Sequence, residues 1–158
     1  MTRQNWWKFA LPVALLAVVA AWSLRASAHC EIPCGIYGDD TRITLLNEHI
    51  ATVEKSMKQI EALSADAAAN QNQITRWVMN KESHCNEIQE IVTQYFMTQR
   101  VKPVAADADA AAKAKYVKQL TLLHEMLVFA MKSKQTTDTA NTDKLRTLVH
   151  DFSHVYGG

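Results

Sequence analysis

Between Ile43 and Ile60 the apolar residues Ile43, Leu46, Ile50, Val53, Met57 and Ile60 recur at spacings of 3, 4, 3, 4 and 3. That period winds one apolar stripe along an α-helix and has no counterpart in a strand, where facing residues recur every two positions. The pattern returns three times. The second stripe is Ile74, Val78, Lys81, Cys85, Ile88, Val92 and Tyr95, in register but with a lysine in the apolar file. The third carries Tyr116, Leu120, Leu123, Leu127 and Ala130, and the fourth Leu145, Leu148, Phe152 and Val155. With 4 Gly and 3 Pro in 158 residues, the chain lacks the turn residues an all-β sandwich or barrel requires.

The punctuation fits four helices. Asp39 and Asp40 are N-cap candidates for the first. The first turn falls within Ser64–Asn70, and Pro103 stops the second helix near Lys102. Val104–Ala108 is a connection, the third helix starts near Asp107 or Asp109, and Ser133–Thr142 reads as a polar loop. The last helix ends before Gly157-Gly158. Amphipathic helices joined by short connections pack most economically as an antiparallel four-helix bundle. The expected fold class is therefore all-α, an antiparallel four-helix bundle preceded by a short N-terminal segment.

The first 28 residues read differently. Arg3 and Lys8 precede a 14-residue apolar run, Phe9–Trp22, which Pro12 interrupts. The run is short of the ~20 residues that span a bilayer. Ala26-Ser27-Ala28 follows, with small residues where signal peptidase requires them. The expectation is a cleaved signal peptide, residues 1–28, and a periplasmic or secreted protein; an uncleaved membrane anchor is the competing reading. Removing Arg3, Lys8 and Arg25 with the leader turns the formal charge from +1 to −2. No basic footprint for nucleic acid remains, and no membrane attachment is expected after cleavage.

Cleavage after Ala28 makes His29 the first residue of His29-Cys30-Glu31-Ile32-Pro33-Cys34-Gly35-Ile36-Tyr37. A free α-amine, an imidazole, a backbone amide and a thiolate then lie together, with a second thiolate four residues on. Pro33 and Gly35 supply a turn that can fold Cys34 back beside Cys30. Two nitrogens and two sulfurs in a plane, with an imidazole above, suit Ni(II) or Cu(II) better than tetrahedral Zn(II). In an oxidising compartment the same two cysteines could instead form a disulfide, and spacing alone favours that.

The run HCEIPCGIY resembles the metal hook of the nickel superoxide dismutases, H-C-x-x-P-C-x-x-Y at a processed N-terminus. All five specified positions match, at His29, Cys30, Pro33, Cys34 and Tyr37. The resemblance extends through ITRWVMNKESH and QYFMTQRVKP. It implies a four-helix bundle that disproportionates superoxide to dioxygen and hydrogen peroxide by Ni(II)/Ni(III) cycling, with one nickel ion per subunit in a homohexamer. It implies nickel ligation by the His29 amine and imidazole, the Cys30 amide and thiolate, and the Cys34 thiolate. Tyr37 would line the approach to the metal, so His29 and Tyr37 are the expected catalytic residues. In the family a first-helix glutamate steadies the histidine, and Glu48 is the nearest counterpart here; a second-helix arginine of some members aligns with His84. The expected division is leader 1–28, hook 29–38 and bundle 39–158. The alternative function is an exported nickel or copper carrier without turnover.

Other residues carry less. His150 and His154 are four apart, a spacing able to hold a metal, but no third ligand accompanies them. His124-Glu125 lacks the second histidine of a zinc protease motif. Cys85, on the apolar stripe, is expected to be a buried hydrophobe. There is no haem attachment motif and no glycine-rich phosphate loop.

Overall fold

The computed structural model describes residues 38–157, all within the compact unit Pro33–Gly158. Helix α1 spans Asp40–Ser64, and α2 spans Ala67–Glu90 and continues without a break as a π-helix, Ile91–Arg100. Helix α3 spans Ala110–Gln135 and α4 spans Ala140–Gly157. Each packs on the next and α4 closes back on α1, giving an up-down-up-down four-helix bundle. Among the described residues there is no strand, and no helix is long and apolar enough to cross a membrane.

The core follows the first stripe closely: Leu46, Ile50, Val53 and Met57 are buried, while Ile43 packs at the rim. Cys85, Ile88, Val92, Tyr95 and Phe96 face them from the second helix and its π extension. Leu145, Leu148, Val149 and Phe152 complete the interior from α4. Phe96 and Phe152 meet edge to face, with centroids 4.9 Å apart. The third stripe requires a correction. The buried face of α3 is Gln119, Leu122, Leu123, Met126, Ala130 and Ser133, whereas Tyr116, Leu120 and Leu127 are only half-buried against it. This helix is apolar on so many sides that its periodicity leaves its facing direction undetermined.

The turns are where the local chemistry places them. Asp66 caps α2 by accepting the Ala69 amide, and Asp109 caps α3 by accepting the Ala112 amide at 2.7 Å. The polar loop is shorter than expected, because α3 runs on to Gln135 and α4 begins at Ala140. The final helix also reaches Gly157 instead of ending before it.

Lys81 is the outlier of the second stripe and is buried, at 4% exposure. Its Nζ donates to the backbone carbonyls of Ser133 at 2.9 Å and Thr136 at 3.2 Å, and to that of Lys134. These carbonyls end α3 and have no partner within the helix. The lysine thus replaces a C-cap, with its charge at the negative end of the helix dipole.

Candidate functional site

Gly38 is the first described residue and has φ +79°, a left-handed conformation that L side chains rarely adopt. It leads through Asp39 into α1. Asp39 follows at the N-cap position but makes no side-chain cap bond. Its backbone carbonyl accepts the Arg42 and Ile43 amides, and its carboxylate turns to the far ends of two other helices. Tyr156 donates to it at 2.6 Å from the last turn of α4. Tyr95 donates to the other carboxylate oxygen, and Arg100 pairs through Nη2 at 2.6 Å and Nε at 3.1 Å.

The π-helix makes this arrangement possible. Tyr95 and Arg100 are five residues apart, so in an α-helix they would point ~140° away from each other. The i→i+5 winding, visible in Val101 N–H to Phe96 carbonyl at 2.8 Å, brings both onto the side that meets Asp39. Burial alone would raise the Asp39 pKa, but the Tyr156, Tyr95 and Arg100 hydrogen bonds outweigh it and hold the carboxyl below its ordinary value. Burial, then the bond to Asp39, pushes the Tyr95 phenol up to about 12, and Tyr156 is raised for the same reasons. The segment following Tyr37 therefore enters α1 through a charge-assisted knot between three elements.

A second polar contact lies between α1 and α2. His49 and His84 approach with Nδ1 atoms 2.8 Å apart and ring centroids 5.0 Å apart. One ring donates and the other accepts, so the contact needs at least one neutral imidazole. Burial first, then the neighbouring His84, lowers the His49 pKa; Glu87 and Glu48 oppose this. Glu48 itself is exposed and acts on His49 only through its charge.

Of the residues expected to form the metal site, His29, Cys30, Cys34 and Tyr37 lie outside the described residues. His84 is placed, facing His49. Sequence reasoning missed His49 and the knot of Asp39, Tyr95, Arg100 and Tyr156. The partners of Asp39 are 56 to 117 residues away, too far for any local pattern to join them. Cys85 is buried and unpaired by any disulfide, as expected, and burial pushes its thiol up to about 11.

No group of three or more His, Cys, Asp or Glu side chains converges to hold a metal among the described residues. The side chains that His29, Cys30 and Cys34 offer, an imidazole and two thiols, are of the types that suit nickel. The described residues define a class by fold alone, the all-α four-helix bundles. The family model described as nickel-containing superoxide dismutase matches residues 24–158, a span that includes the whole HCEIPCGIY segment, and the chain belongs to that family. No curated protein and no solved structure matches it. Its activity is superoxide dismutation and its metal is nickel; membership in this family disfavours the carrier reading.

Proposed function

We propose that the catalytic metal is held at an N-terminus created by cleavage after Ala28. The ligands are the His29 amine and imidazole, the Cys30 amide nitrogen and thiolate, and the Cys34 thiolate. The observation that carries this reading is the five-position match of residues 29–37 to the hook pattern, inside a family match that starts at residue 24. Two superoxide ions and two protons give one dioxygen and one hydrogen peroxide. When bound, nickel supplies the one-electron Ni(II)/Ni(III) couple this exchange requires. The Cys30 and Cys34 thiolates donate charge that lowers the potential, which oxygen ligands could not do as well. The His29 imidazole would supply a further nitrogen ligand, and the Tyr37 hydroxyl would order water and small anions on the approach.

In this reading residues 1–28 are an export signal, 29–38 the hook and 39–158 the bundle, and the protein works as a periplasmic or secreted homohexamer. Intact mass of the exported protein tests the cut. A mature start at His29 is expected, and any other start removes the amine ligand. Electron paramagnetic resonance of the same material should give a rhombic Ni(III) signal with axial nitrogen coupling. Cys34→Ser should abolish nickel retention and dismutase activity with the helices intact; full activity in that variant would contradict the mechanism.

A further inference from the structure

His150 and His154 stand one turn apart on the exposed side of α4. Their Nε2 atoms converge to 3.1 Å, with ring centroids 4.4 Å apart. Two imidazole nitrogens bound to one ion at the usual 2.0–2.1 Å and separated by this distance subtend about 95–100° at the metal. That lies between the octahedral and tetrahedral values, so the pair is spaced as the two arms of a chelate.

A second observation points the same way. Asp151 Oδ1 lies 3.4 Å from His150 Nδ1, and in the tautomer with the proton on Nδ1 the Nε2 lone pair is left to face His154. A carboxylate behind the far nitrogen is the support that metal-binding histidines characteristically have. Both rings are exposed, which leaves the remaining coordination positions to water. They also lie in the last two turns of α4, where the helix dipole favours a cation.

We propose that His150 and His154 form a second, solvent-facing metal site that takes one borderline divalent ion of the copper, nickel and zinc group, independent of the hook. In the metal-free protein His154 donates its Nε2 proton to His150. On binding, that proton moves to His154 Nδ1, with no net change in charge, and the ion bridges the two Nε2 atoms from one side of the line that joins them. The imidazole pair ranks Cu(II) above Ni(II) and Zn(II).

Purified, nickel-loaded protein, dialysed free of excess metal, is titrated with Ni(II) alone in a calorimeter. One further equivalent per chain is expected, weaker than the first. His150→Ala and His154→Ala should each weaken that equivalent at least tenfold, and the double substitution should add little, because a chelate is lost with either arm. Nickel carried through dialysis should be unchanged in all three variants, which separates failure of this site from failure of the hook. Both positions are exposed, and far-UV circular dichroism checks that α4 is retained. The proposal is overturned if no Ni(II) binds beyond the first equivalent up to millimolar ion, or if either single substitution leaves the further equivalent within twofold of the parent.

Discussion

At the residue scale, Asp39 ties the start of α1 to the rest of the bundle, since it accepts from three side chains of other elements. Asp39→Asn keeps the shape but loses the charge and turns an N–H donor toward Tyr95, Tyr156 or Arg100. Hydrogen bonds to charged groups contribute about 1.5–3 kcal/mol, and partial exposure puts this loss toward about 1–2 kcal/mol. Denaturant unfolding measures it. A phenolate absorbance titration should also show tyrosine ionisation moving down in pH, because Asp39 is one cause of the raised Tyr95 value. The His49–His84 pair sets a different dependence. Its folded-state His49 pKa is lowered, so the unfolded chain takes up the proton first as pH falls. Stability associated with this pair is present above the ordinary histidine value of 6.5 and is lost below it. His49→Gln should flatten the fall in stability between pH 7.5 and 5.5; an unchanged slope would remove the pair from that role.

At the scale of the elements, α2 and its π extension illustrate what local patterning conveys. The stripe from Ile74 to Tyr95 is visible in the sequence, and Lys81 looks like an interruption of it. In the structure Lys81 is part of the core design, since three carbonyls at the end of α3 converge on its ammonium. Lys81→Met keeps the apolar stem and strands those carbonyls, so a loss of about 2–3 kcal/mol is expected in chemical denaturation. A loss confined to a few tenths would mean that water caps α3 just as well. The π winding was not legible, because the buried residues Ile91, Val92, Tyr95 and Phe96 satisfy an α-helical period equally well. Only the distant carboxylate of Asp39 shows why five-residue spacing is used. The facing of α3 escaped for the opposite reason, an excess of apolar residues. The start of α3 was legible as one of two acids, Asp107 or Asp109, because capping is a local interaction between a side chain and an amide three residues on; the Asp66 cap of α2 lay inside the expected turn without being singled out.

For the molecule as a whole, fold and chemistry were readable from different parts of the chain. The bundle emerges from periodicity spread over more than a hundred residues, each contributing little. The expectation of nickel chemistry came from nine residues, HCEIPCGIY, whose types and spacing have to coincide. Family membership over residues 24–158 joins the two. What was not legible is the polar contacts within the bundle, because the Asp39 knot and the His49–His84 contact join positions far apart in sequence. The Asp39 knot fixes the start of α1 against the ends of two other helices.

The central claim is that a backbone amine, and not side chains alone, binds the metal. The most direct measurement is nickel content and dismutase activity of a chain with one alanine inserted between Ala28 and His29, its processed terminus confirmed by mass. Every side chain of the motif is retained, but the His29 nitrogen becomes an amide and the amine is displaced by one residue. The chelate rings no longer fit one plane, and a misplaced catalytic group costs on the order of 100-fold or more. Weak or altered nickel binding with activity reduced by at least ~100-fold is the expected result. Near-native nickel content and activity in the processed insertion variant would contradict the amine as a ligand, and with it the terminal hook.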